Sequence, residues 1–150
     1  VICAALFAWP LTVEGIGPAI GRGLAAVASE PWMLLLAMNV VLLGLGCVLD
    51  AISVYYVVVP VLLAAVHQVN RTTQSPIDLV HLGIIIAVNL AIGQITPPVG
   101  VNLFTAAGVS GVSVRTIARK VWPLFAAEIV ALAIITYIPS LTLWLPSLME

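Results

Sequence analysis

Charge is the scarcest ingredient of this chain. Five Lys or Arg and six Asp or Glu are spread over 150 residues, 7% of the sequence, where a soluble domain carries about 25%. The shortage excludes a basic nucleic-acid surface, and a net charge of -1 selects no class of partner. Cysteine is nearly as scarce. Cys3 and Cys47 lie far apart in apolar surroundings, without the CxxC spacing of a redox or metal centre, and both read as buried thiols. An initiator Met and a positively charged leader are absent as well, and the chain opens at Val1 in mid-hydrophobic sequence. It reads as a piece of a longer protein, with residues 1–9 the end of a cut membrane helix. What the chain has in abundance is apolar surface. Hydrophobic residues make up 63% of it and the mean hydropathy is +1.24, more than a soluble core of this length needs, so the setting is a bilayer.

Five apolar blocks are separated by short polar punctuation. Pro10 closes the first. Residues 12–30 carry Glu14, Arg22 and Glu30 at their margins and Gly15, Gly17, Gly21 and Gly23 between, a composition too polar to span and better suited to a helix lying on the membrane surface. Trp32 follows, where an indole is favoured at headgroup level. From Trp32 to Val66 there are 35 residues, with Gly44, Gly46, Asp50 and Ser53 near the centre. Two spans need about 20 residues each plus a turn, so a re-entrant hairpin over 32–66 fits better. Met33 to Leu45 would descend, Gly46 to Ser53 form the tip, and Val54 to Val66 return with a kink at Pro60. One full span over 32–51 followed by a short helix is the alternative.

The plainly polar loop runs from His67 to Pro76, and Ser75-Pro76 with Asp78 behind it reads as a helix start. The helix it opens, 76–109, is interrupted by Gly93-Gln94-Ile95-Thr96-Pro97-Pro98-Val99-Gly100-Val101-Asn102. The diproline removes two N–H donors and its rings clash with the preceding turn, so carbonyls around Ala91 to Gln94 are expected to lose their helical partners. In hydrocarbon such a break is tolerated where protein or a water-filled cavity satisfies it, which makes it a place to hold something polar or ionic. Ser113 signals the start of a last span over 114–138, and residues 139–150, with Trp144 and Pro146, form an interfacial tail. Arg115, Arg119 and Lys120 hold three of the five cations. They place that end in the cytoplasm and the Arg71 loop outside, with lipid contact as their second role.

Two polar sites thus approach the midplane: the tip with Asp50 and Ser53, and the break with Thr96 and Asn102. An Asp at membrane depth costs about 2.5 to 3.5 kcal/mol on insertion scales unless it is paired or bound to a cation. One reading is a protonated Asp50 hydrogen-bonded to Ser53 or to backbone. The other is an oxygen cage for a hard monovalent ion, Na+ before H+, made by carbonyls around Gly46 and Gly93, the Asp50 and Ser53 side chains and the Thr96 hydroxyl. Half-helix N-termini after the breaks would favour an anionic substrate group.

Leu45-Gly46-Cys47-Val48-Leu49-Asp50-Ala51-Ile52-Ser53, Val59-Pro60-Val61-Leu62-Leu63, Asp78-Leu79-Val80-His81-Leu82-Gly83-Ile84-Ile85, the run Asn89 to Phe104 around the diproline, and Ile135-Thr136-Tyr137-Ile138-Pro139 with Leu143-Trp144-Leu145-Pro146 follow one another in order. Together they resemble the C-terminal part of the large membrane subunit of tripartite ATP-independent periplasmic (TRAP) transporters, from about Trp32 onward. The resemblance implies an all-α integral membrane fold of the ion-transporter superfamily. A re-entrant hairpin and a broken transmembrane helix would form the second of two inverted repeats in an elevator-type transporter driven by a Na+ gradient. It also implies that Gly46, Asp50, Ser53, Gly93, Thr96, Pro97, Gly100 and Asn102 fall in regions that bind Na+ and substrate, with Asp50, Ser53 and Thr96 as Na+ ligand candidates. No cofactor beyond the coupling ion is implied. Small organic acids such as C4-dicarboxylates, keto acids and sialic acids would be delivered by a periplasmic binding protein, and a small membrane subunit would complete the complex in the inner membrane of a bacterium or archaeon. Ala64 stands where the family often has a second proline, and the 67–75 loop is longer than usual.

Other residues read more plainly. His81 reads as a packed or interfacial histidine before a proton relay, and Glu128 as an acid paired with a neighbouring subunit or a polar helix before a coupling group. Gly108 and Gly111 suit close helix packing. Two other classes stay open: a non-transporting membrane scaffold, and an intramembrane aspartyl protease. The protease would need a second acid at depth and a glycine directly before Asp50.

Overall fold

The computed structural model describes residues 23, 30–71, 76–97 and 99–148. The cut helix at 1–9, most of the 12–30 surface helix, Ser75 and Pro98 lie outside the described residues. All regular structure among the described residues is helical: α1 Pro31–Gly46, α2 Ala51–Val57, α3 Val59–Asn70, α4 Leu79–Gly93, α5 Val101–Ser110, α6 Val114–Tyr137 and α7 Pro139–Ser147. Two compact units emerge. One contains α1 up to Val40 together with α2 and α3; the other contains Val41–Asp50 together with α4 to α7.

In the first unit α2 and α3 are bent 48° from each other. Pro60 causes the bend. It sits at the first positions of α3, where it cannot donate to the preceding turn. Leu62, Ala65, Val66 and Val69 form the buried stripe of α3 at the i, i+3, i+4, i+7 spacing. Beyond it the Asn70 amide clamps Ile77: its Nδ2 donates to the Ile77 carbonyl at 2.9 Å and its Oδ1 accepts from the Ile77 N–H at 2.8 Å. Both backbone groups of Ile77 are thereby tied to the end of α3, which favours an extended connection there. This is why α4 begins at Leu79 and not at the Pro76 start expected from sequence.

In the second unit α6 packs against both α4 and α5, and α7 packs on α4 and on the end of α6. The α4 core alternates in pairs one turn apart, His81 and Leu82, Ile85 and Ile86, Asn89 and Leu90, Ile92 and Gly93, all buried. α6 starts where the sequence placed a cap. Ser113 Oγ accepts from the Thr116 N–H at 3.4 Å and shares a 2.8 Å hydrogen bond with the Thr116 hydroxyl. Among the described residues α6 is long and apolar enough to cross a membrane unaided, and α2 with α3 passes only as a pair.

Candidate functional site

Both helix ends that meet in the second unit terminate at glycine, and the meeting depends on it. α1 ends at Gly46 and α4 at Gly93. A β-carbon on Gly93 would lie 2.6 Å from the Gly46 carbonyl carbon and 2.7 Å from its α-carbon. A β-carbon on Gly46 would lie 3.2 Å from the Gly93 α-carbon. Two backbones are therefore in direct contact, an approach only glycine permits.

The break that follows Gly93 is largely self-satisfied. A continuous helix would send the N–H of residue 97 to Gly93 and that of residue 98 to Gln94, and proline supplies neither. Instead the Thr96 N–H reaches the Gly93 carbonyl at 3.0 Å, and the Asn102 N–H reaches the Gln94 carbonyl at 3.1 Å. Asn102 lies in the first turn of α5, where N–H groups have no partner within their own helix. The orphan acceptor of one half-helix and the orphan donor of the next thus satisfy each other. The Ile92 carbonyl takes the Ile95 N–H at 3.2 Å and the Thr96 hydroxyl at 2.6 Å. The carbonyls of Ile92, Gly93 and Gln94 have thus lost their helical i+4 partners, as the diproline led one to expect, and each is engaged by another donor.

Gly100 turns the chain into α5 in the left-handed region, with φ 49° and ψ 74°. A side chain there would meet both strain and crowding, since a β-carbon would stand 2.9 Å from Leu103 Cδ1 and 3.0 Å from the Thr96 carbonyl oxygen. Its N–H donates to the Cys47 carbonyl at 3.3 Å. That carbonyl belongs to the turn just beyond α1, so this bond joins the end of α1 to the start of α5.

The structure therefore brings Gly46, Gly93, Thr96 and Gly100 into one junction. Asp50 follows four residues after Gly46, exposed and immediately before α2. Ser53, half-buried in α2, belongs to the other unit. Pro97 is exposed, and Asn102, also exposed, is helical rather than unwound. Cys47 contributes through its carbonyl, a role its thiol chemistry gave no reason to expect; its place next to Gly46 in the tip was the available signal.

The junction offers oxygen. The Thr96 hydroxyl directs its proton to Ile92, which leaves its lone pairs for a cation. Among the described residues no three His, Cys, Asp or Glu side chains gather as a metal site. Carbonyl and hydroxyl oxygens suit a hard cation, and the N-terminus of α5 suits an anion.

His81, read from sequence as packed or interfacial, is 2% exposed. Its Nδ1 lies 2.7 Å from Thr142 Oγ1 and its Nε2 lies 3.2 Å from the Thr136 carbonyl. It therefore ties the start of α4 to the corner between α6 and α7.

An apolar span, a bent helix pair and a broken helix whose halves repair each other across the break define an all-α integral membrane protein. The family model described as Tripartite ATP-independent periplasmic transporter, DctM component, matches residues 1–141, and the chain belongs to that family. The C4-dicarboxylate TRAP transporter large permease protein of Pseudomonas aeruginosa is 38% identical over 144 residues, covering 96% of this chain and 32% of the relative. The isethionate TRAP transporter permease protein of Oleidesulfovibrio alaskensis is 36% identical over 141 residues, 94% of this chain and 21% of the relative. The sialic acid TRAP transporter permease protein of Haemophilus influenzae is 33% identical over 136 residues, 91% of this chain and 21% of the relative. The chain thus spans a third or less of these relatives, which are transporter permease subunits and not enzymes.

Proposed function

We propose that this chain forms the second inverted repeat of the large permease subunit of a Na+-coupled secondary transporter. It imports a small organic acid of the C4-dicarboxylate, keto acid or sialic acid type across the inner membrane. A periplasmic binding protein delivers the acid, and a small membrane subunit completes the complex. The observation that carries this reading is the seating of the α1 end on the broken helix, Gly46 against Gly93 and the Cys47 carbonyl on the Gly100 N–H. A re-entrant tip held against an unwound segment puts carbonyl and hydroxyl oxygens at one point and a helix N-terminus beside them, as ion-coupled transport of an anion requires. Asp50, Ser53 and Thr96 are the Na+ ligands in this account, and Gly46, Gly93, Pro97, Gly100 and Asn102 shape the ion and substrate site. The acids and the sulfonate named for the relatives are all small anions, in keeping with the helix N-terminus.

The test is uptake by proteoliposomes that hold the complete complex, supplied with the loaded binding protein. Accumulation under an inward Na+ gradient and none under a proton gradient alone supports the reading. Accumulation indifferent to Na+ overturns it.

A further inference from the structure

The outer face of α6 carries an ordered series of chemistries that the transport reading does not use. Arg115, Arg119 and Trp122 succeed one another at four- and three-residue steps, so they share one face of the helix. Ala126, Val130, Ile134 and Tyr137 continue the same stripe, and every one of these residues is exposed. Lys120 flanks Arg119 and is also exposed. The opposite stripe, through Ile117, Val121, Phe125, Glu128, Leu132 and Thr136, is the partly or fully buried one. Along its outer face α6 therefore presents guanidinium groups first, then an indole that is 62% exposed, then aliphatic side chains as far as a tyrosine.

That order follows the order of groups in a phospholipid: phosphate, glycerol ester, acyl chain. From Arg119 to Tyr137 the helix rises about 27 Å, close to the hydrocarbon thickness of about 30 Å, so cations and Tyr137 fall at opposite boundaries. Trp122 stacks on Phe125 at 5.3 Å between ring centroids, one turn past Arg119, and an indole is favoured at the membrane interface. No carboxylate among the described residues pairs with Arg115, Arg119 or Lys120. Pro123 adds an acceptor to the same level, because it cannot donate to the Arg119 carbonyl.

We propose that this face binds one anionic phospholipid, with its phosphate between Arg115, Arg119 and Lys120, its ester region against Trp122 and an acyl chain along Ala126 and Val130. Charge complementarity selects a lipid over a further segment of the permease, since an apolar helix would leave three cations uncompensated at the boundary.

The experiment is native mass spectrometry of the full-length permease complex titrated with palmitoyl-oleoyl phosphatidylglycerol or phosphatidylcholine. The unaltered protein is expected to retain phosphatidylglycerol in preference to phosphatidylcholine, and equal retention of the two lipids overturns the proposal. The double variant R115Q/R119Q is expected to weaken phosphatidylglycerol retention about tenfold or more and to leave phosphatidylcholine unchanged. W122A is expected to weaken both lipids. R71Q, which removes an exposed cation at the far end of α3, is expected to change nothing. Retention of phosphatidylglycerol by R115Q/R119Q at the unaltered level overturns the proposal, as does an equal loss in R71Q. The conservative R115K/R119K keeps the charge and should keep the lipid; if it loses as much as the glutamine variant, the loss is structural and the proposal fails.

Discussion

Gly93 and Gly46 are in backbone contact, with the position of a β-carbon on Gly93 only 2.7 Å from the Gly46 α-carbon. The contact is asymmetric, because the reverse distance, from a Gly46 β-carbon to the Gly93 α-carbon, is 3.2 Å. Gly93→Ala should therefore force the two helix ends apart. It should cost about 1–3 kcal/mol or more, as overpacking does in a filled core. Gly46→Ala should cost less. Thermal unfolding of the purified permease in detergent ranks the two, and equal melting temperatures would mean that the helix ends are not in contact.

Gly100→Ala tests a separate cause. Here the backbone itself is left-handed, with φ at 49°. A β-carbon there adds about 1–2 kcal/mol of strain before any clash is counted. Gly100→Asn should recover part of the loss because Asn tolerates this region better than Ala. A melting point for Gly100→Asn at or below that of Gly100→Ala would show crowding against Leu103 and Thr96 to be the larger effect.

The Asn70 amide makes two hydrogen bonds with Ile77 that bracket the polar loop. Asn70→Asp keeps the acceptor and loses the donor, and Asn70→Leu loses both. Net losses of about 1 kcal/mol and about 2 kcal/mol follow from typical hydrogen-bond contributions. Limited proteolysis within 71–76 should speed up in the same order, and unchanged cleavage rates would remove the clamp from the account.

His81 reaches 61 residues along the chain to Thr142 and 55 to Thr136. Thr142→Val removes the Nδ1 partner from the buried ring and should destabilise the fold by about 1–3 kcal/mol, the range for an abandoned buried polar group. His81→Phe should cost at least as much. If Thr142→Val is neutral in thermal unfolding, the histidine does not hold the α6–α7 corner.

What the sequence made legible were the interruptions. Thr96-Pro97-Pro98 announces its own break, because proline lacks the donor wherever it stands. Ser113 announces a helix start by the same local logic, and its hydroxyl caps α6. Gly46 and Asp50 mark the other interruption, between α1 and α2. What the sequence could not convey was who satisfies whom. The Asn102 N–H finds the Gln94 carbonyl through the path of an irregular turn, and Gly46 finds Gly93 across a sequence separation no periodicity spans. The clasp of His81 on Thr142 is of the same kind. Asn70 shows the limit at a boundary: Ser75-Pro76 has the composition of a helix start, and a side-chain clamp on Ile77 overrides it. The family resemblance carried more than local rules could, since ordered motifs over most of the chain encode tertiary pairing that single motifs do not.

The hairpin has its own topological test. A single cysteine placed at Ala51, in a background free of Cys3 and Cys47, should react with a membrane-impermeant maleimide slowly or from the periplasmic side. Rapid reaction from the cytoplasm would mean that 32–51 crosses the membrane completely, and that the tip is not a tip.

The most direct measurement is the Na+ dependence of organic-acid uptake by proteoliposomes of the complete complex carrying Asp50→Ala, with Thr96→Val beside it. The account predicts that both variants assemble with the small subunit and need several-fold more Na+ for half-maximal uptake, with the larger shift at Asp50, the charged ligand. Uptake by Asp50→Ala with the Na+ dependence of the unaltered protein would contradict it.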